Sequence, residues 1–219
     1  METYQPTERT QVRRLPKRGV YDKQQVHAIL DEGFLCHVGF VVDGQPFVIP
    51  TGYGREGERV FIHGSPASRV LRSRDGIDIC FTVTLVDGFV LARSAFHHSM
   101  NYRSVMALGH ARFISDLQEK SGALRVITNH IVPGRWEETR PTTEKELKST
   151  SVLALDLEEV SAKVRTGGPI DDEEDYALPI WAGVVPLRTV PSIPIRDDRA
   201  VDGLRPFDLD RLGRFSRDA

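Results

Sequence analysis

Apolar positions along this chain fall into short alternating runs divided by glycine-bearing turns, with a few stretches of helical spacing between them. Val26, Ile29 and Leu30 stand at helical spacing behind Asp22, a good N-cap residue, and Gly33 ends the run. Phe34 to Val42 is a strongly apolar strand. Asp43-Gly44 is a tight hairpin signal, and Gln45 to Gly52 returns as its partner. A polar turn, Arg55-Glu56-Gly57-Glu58, leads into a third strand from Val60 to His63. The pattern predicts a three-strand meander behind one helix.

Pro66 suits the first turn of a helix, which the pattern carries to about Arg74 with Val70 and Leu71 facing inward. Asp75-Gly76 stops it. Ile77, Ile79, Phe81 and Val83 then alternate with Asp78, Cys80, Thr82 and Thr84 as a strand. Asp87-Gly88 predicts a second hairpin, with Phe89 to Ala95 pairing back and Tyr102 to Ile114 as a further strand. From Asp116 the period changes: Leu117, Leu124, Ile127 and Ile131 share a helical face that Val132-Pro133-Gly134 ends. Thr143 to Leu147 predicts a short helix and Ser151 to Val164 a long strand. Residues 1–20 carry five cations and two prolines and read as an extended arm that packs late or crosses a partner subunit. Residues 21–190 read as one domain and 191–219 as an irregular tail. Closely spaced strands with glycine turns give an α+β, mainly β fold: an antiparallel barrel with flanking helices.

Composition narrows the function. The 219 residues carry 29 basic and 31 acidic side chains, a net charge of -2, which gives no support to a nucleic-acid or membrane-surface partner. The polar N-terminus is no secretory signal, and no apolar run approaches a bilayer span, so the cytoplasm is the expected compartment. Cys36 and Cys80 sit in apolar runs and read as core residues rather than a disulfide framework.

Candidate chemistry gathers in two hydroxyl-rich turns with arginines. Ser65, Ser68 and Arg69 follow the third strand, where a helix start with unpaired N–H groups would suit a phosphate; an ordinary cap is the plainer reading. Asn101-Tyr102-Arg103-Ser104 forms the second group. Lys163 and Arg165 precede a Gly-Gly-Pro exit, and read either as a solvated strand end or as the mouth of a ligand site. Trp181 reads as a core aromatic, although an indole also offers a stacking face. His97 and His98, adjacent on a strand, would point to opposite faces, and no zinc-like spacing appears, so no metal site is expected. His63 ends the third strand just before the presumed phosphate turn. The sequence has neither a G-x-S-x-G elbow nor a G-x-G-x-x-G fingerprint.

The order of these segments, with His63-Gly64-Ser65-Pro66-Ala67-Ser68-Arg69, Ser99 to Val105 and Ser161 to Pro169, resembles the flavin-binding split barrels of the pyridoxamine-phosphate oxidase-like superfamily. The resemblance runs from about Arg13 to Leu187 and is nearest the nitroimidazole-resistance branch. It implies a split β-barrel homodimer with FMN in the cleft between subunits. It implies that Arg69 and Arg103 take the flavin phosphate, that Ser65, Ser68, Asn101, Tyr102, Ser104, Lys163 and Arg165 line the site, and that Trp181 stacks on the ring. It makes His63 the candidate catalytic residue, tuning reduction of a small acceptor by NADH or NADPH. Gly213 stands where a true pyridoxamine-phosphate oxidase has the histidine of its Arg-Leu-His segment, which points away from vitamin B6 oxidation. Two alternatives stay open: a flavin carrier or sensor without turnover, and a haem-binding split barrel with His63, His97 or His98 as axial ligand.

Overall fold

The computed structural model describes residues 2–215, and the alternating runs become nine strands there. β1 is Gly19–Val20, β2 Leu35–Val42, β3 Gln45–Glu56, β4 Arg59–Gly64 and β5 Ile77–Leu91. β6 is Ser99–Phe113, β7 Ser151–Asp156, β8 Glu159–Arg165 and β9 Gly183–Pro186. The helices are α1 (Lys23–Glu32), α2 (Leu117–Ile131) and α3 (Glu144–Lys148), with short 3-10 turns between elements. All strand pairings are antiparallel, in the order β1-β8-β6-β7-β4-β3-β2-β5-β9. β5 also pairs with β6, so β2 to β7 close on themselves.

β6 is where the barrel splits. One edge pairs with β5 along nearly its whole length. The other edge is divided: Tyr102–Leu108 pair with β8, and Arg112–Phe113 with β7. The result is an α+β split barrel. Its interior is filled by Cys36, Val38, Tyr53, Phe81, Val83, Val105 and Leu153, with Val26, Ile29 and Leu30 of α1. A second cluster seats α2 on the barrel through Ala123 and Ile127 against Phe61, Ile114, Val152 and Ala154.

Local chemistry explains most boundaries. Asp22 accepts from the Gln25 N–H and starts α1; Asp116 does the same for Glu119 and α2. Thr143 and Glu146 form a reciprocal capping box at α3. Asp43 and Gly44, with φ of 51° and 77°, make the β2–β3 hairpin.

Three expectations are corrected. Residues 66–74 are a chain of turns, not a helix, although Val70 and Leu71 are buried as expected. Only those two adjacent positions are apolar, so no helical face is sustained, and they plug the barrel end instead. Asp87-Gly88 is no hairpin: β5 runs through it with a register shift between Val86 and Gly88. β9 lies alongside, and a Cβ on Gly88 would meet the Val185 carbonyl at 2.9 Å. The long strand from Ser151 breaks at Leu157-Glu158 into β7 and β8, which join different parts of β6.

The N-terminal segment packs on its own chain. Tyr4 is buried and donates to Glu58 at 2.7 Å, and β1 pairs with β8. The tail returns too: Arg211 pairs with Glu138, and Phe215 meets Phe34 edge-on at 5.5 Å. Among the described residues no helix is long and apolar enough to cross a membrane. Cys36 and Cys80 are free thiols, and burial pushes Cys36 up to about 12.

Candidate functional site

The candidate residues divide into two sets at opposite ends of the barrel. The first follows β4. His63 is half-buried, and its Nδ1 is buried without a hydrogen-bond partner. Desolvation therefore holds the imidazole below its ordinary pKa and keeps it neutral. Ser65 Oγ accepts from the Ala67 N–H at 3.2 Å, which leaves its O–H free to donate. Arg69 is exposed, rests over the Phe47 ring at 4.6 Å, and has no carboxylate partner among the described residues. This turn offers a free guanidinium and hydroxyls of Ser65 and Ser68, but no helix N-terminus, because residues 66–74 form no helix.

The second set surrounds the start of β6. Arg103 donates through Nε and Nη2 to Asp87 at 3.0 and 2.7 Å, and through Nη2 to Glu32 at 2.8 Å; its Nη1 also bonds Glu32. These hydrogen bonds raise its pKa further, Glu32 contributing most. Arg103 therefore ties α1, β5 and β6 together. A phosphate at Arg103, the ligand role expected of it, would have to displace two carboxylates. Arg165 is buried and bonds Asn101 and the carbonyls of Gly167 and Gly168, the latter two at 3.1 Å, while Asn101 also donates to Gly167 at 3.1 Å. Asn101 and Arg165 thus hold the 166–168 turn. Ser104 donates to the Lys163 carbonyl at 3.3 Å. The side chains of Tyr102 and Lys163 have no hydrogen-bonded or charged partner among the described residues. Trp181 is 66% exposed, so its core reading is corrected and its face is open to a ligand or partner.

His63 pairs with Val152, whose neighbour Leu153 pairs with Phe113; Arg103 lies ten residues back along β6. Ten residues of extended strand span roughly 30 Å. The two sets therefore lie far apart along the strands of one chain.

His97 and His98 lie at a 3-10 turn (Ala95–His97), not on a strand, which corrects their expected geometry. His97 is 3.3 Å from Asp172. His98 Nδ1 lies 2.8 Å from the Ser94 carbonyl, so Nδ1 carries the proton and Nε2 presents its lone pair outward. Phe96 beside it is 89% exposed.

Sequence reading missed Glu32 and Asp87 as partners of Arg103. Asp87 reads as a turn residue, Glu32 carries no signal of its own, and no spacing rule joins them to position 103. It also missed a cavity of about 720 Å³ between the α1–β2 junction, β5 and the returning tail, lined among others by Phe34, His37, Arg188 and Phe215.

The comparisons with known proteins agree with this fold. No curated protein matches the chain. The flavocytochrome Anf3 from Azotobacter vinelandii is 46% identical, covering 96% of this chain and 98% of its own, with a TM-score of 0.88. The FAD and haem binding protein from Mycobacterium smegmatis is 36% identical over 90% of this chain and 97% of its own, TM-score 0.83. A candidate 5-nitroimidazole antibiotic resistance protein from Bacteroides thetaiotaomicron is 26% identical over 67% of this chain and 86% of its own, TM-score 0.55. The sequence model described as pyridoxamine 5'-phosphate oxidase matches residues 22–164, and the chain belongs to that family.

Proposed function

We propose that this protein is a flavocytochrome-type redox protein, holding a flavin dinucleotide and a haem and using them to reduce a small acceptor at the expense of NADH or NADPH. The observation that carries this reading is the 46% identity, along 96% of the chain, to a flavocytochrome. The 36% identical relative, named for FAD and haem, supports the dinucleotide over the FMN expected from sequence. When bound, a flavin takes up hydride and a haem iron takes single electrons.

The residues present fit both groups. Arg69 supplies an unneutralised guanidinium for a flavin phosphate, with Ser65 and Ser68 as short donors. The unpartnered Nδ1 of His63 is a buried polar atom without a mate, as expected beside a ring edge that would complete it. His98 has the arrangement of an axial ligand: the Ser94 carbonyl fixes its tautomer and leaves Nε2 free. The separation of the two residue sets supports a homodimer, in which the His63–Arg69 end of one copy meets the Lys163–Trp181 end of the other. Exposed Phe89, Met100 and Trp181 give that second end the apolar surface a partner would cover.

An absorption spectrum of the purified protein, with chromatography of the extracted flavin, tests the reading. Flavin bands near about 450 nm, a Soret band near about 410 nm and extracted FAD are expected. His98→Ala should lose the Soret band and keep the flavin. A protein that takes up neither group when supplied with FAD and haemin would overturn the proposal.

A further inference from the structure

The cavity beside the tail has a composition of its own. Its floor is the Arg103 cluster, in which one guanidinium faces two carboxylates, Glu32 and Asp87. At its rim stand two further arginines. Arg188 is exposed, and no carboxylate pairs with it among the described residues. Arg214 donates to the main-chain carbonyls of Ile131 at 2.6 Å and Asp31 at 3.3 Å, the last turns of α2 and α1. Its Nε is buried without a partner among the described residues. The Asp31 carboxylate is itself taken by Arg55. Three arginines against two carboxylates leave one positive charge. The walls are apolar and aromatic: Phe34 and Phe215 meet edge-on.

We propose that this cavity binds a planar aromatic monoanion, an arene carboxylate, as a ligand separate from the flavin and haem. The ring lies among Phe34, Phe215 and the apolar wall, and the carboxylate faces Arg188 and Arg214 at the rim, away from Glu32 and Asp87. Charge sets the class. A monoanion balances the single excess charge, whereas a diphosphate would leave the site net negative beside two carboxylates. The volume, about 720 Å³, lies in the range of small-molecule sites. Phe215 and Arg214 make the tail a wall of the site, held by the Arg211–Glu138 ion pair, two helix-end carbonyls, the Phe34–Phe215 edge contact and the Arg214 guanidinium 5.8 Å from the Phe34 ring centre. The inference stands apart from the cofactor reading, since it uses none of the residues that the proposed function gives to flavin or haem.

Calorimetric titration of the full-length protein with 2-naphthoate, and with the uncharged 2-naphthamide, tests it. Naphthoate is expected to bind roughly ten- to a hundredfold more tightly than the amide, the size of a charge-assisted contact. Arg188→Gln should weaken naphthoate about tenfold and leave the amide unchanged. Phe215→Ala should weaken both. Equal affinity for the two probes, or a naphthoate affinity untouched by either substitution, would overturn the proposal. So would displacement of naphthoate by FAD, which would make the cavity part of the flavin site. Naphthoate binding in protein that takes up neither flavin nor haem would support the cavity while sinking the cofactor reading. A flavin- and haem-loaded protein that ignores naphthoate would sink this inference alone.

Discussion

Arg103 uses all three of its guanidinium nitrogens on two carboxylates, and that determines what its removal does. Arg103→Ala leaves Glu32 and Asp87 without their counter-ion. A fully buried pair broken in this way costs 3–5 kcal/mol; with all three side chains about a third exposed, about 1–2 kcal/mol is expected in urea unfolding. Arg69→Ala removes only an exposed cation–π contact and should shift stability by less than about 1 kcal/mol while weakening flavin about tenfold or more. The reverse pattern, a stable Arg103→Ala protein with lost flavin, would restore the phosphate role to Arg103. His63 and His130 bear on pH. Burial is the main cause that lowers both pKa values beneath the unfolded value of about 6.5. The fold therefore resists their protonation: stability is full above that value and falls as pH drops through the lowered ones. His110, raised by the Asp75 carbonyl and Asp78, acts in the opposite sense, but it is exposed and its share is small. The unfolding midpoint should fall between pH 7 and 5, and less steeply in His63→Gln; identical slopes would contradict the account. At this scale the sequence shows which side chains can carry chemistry. It does not show which are already occupied, because Glu32 and Asp87 lie 71 and 16 positions from Arg103.

α2 packs along β3 and comes nearest to its backbone at Gly54. A Cβ on Gly54 would lie 2.7 Å from the Ile127 backbone, which cannot yield as a flexible side chain would. Gly54→Ala should force α2 outward and cost on the order of 1–3 kcal/mol, the usual penalty for overpacking. An unfolding midpoint within error of wild type would contradict the packing. Lys120 shows a different element-level device. It is buried on α2 and donates to the Leu147 and Thr150 carbonyls at 3.2 and 2.9 Å, holding the end of α3. Elements whose signals are local are readable: α1 through its Asp22 cap, α2 through its helical spacing, and β2–β3 through Asp43-Gly44. Asp87-Gly88 was misread because the same dipeptide suits a hairpin or a bulge, and the neighbour that decides, β9, lies far along the chain. Pro66 to Arg74 reads as a helix because Pro66 can open one, while Val70 and Leu71 are spent on the barrel interior.

For the whole molecule, the meander from β2 to β4 was legible, and the pairings that close the barrel were not. β4 with β7 and β6 with β8 join segments remote in sequence, and no hairpin turn announces them. The same topology separates the His63–Arg69 turn from the Lys163 end, which the motif resemblance had gathered into one site. The proposed homodimer would build each flavin site from opposite ends of two chains, as two-fold symmetry allows. Co-expression of Arg69→Ala and Lys163→Ala chains, with separate tags to isolate the mixed dimer, tests it most directly. Each variant alone should bind flavin weakly. The mixed dimer should hold one site with both residues intact and one lacking both, so it should bind about half the wild-type flavin at wild-type affinity. A mixed dimer no better than its parents, or a monomer carrying a full complement of flavin, would contradict the account.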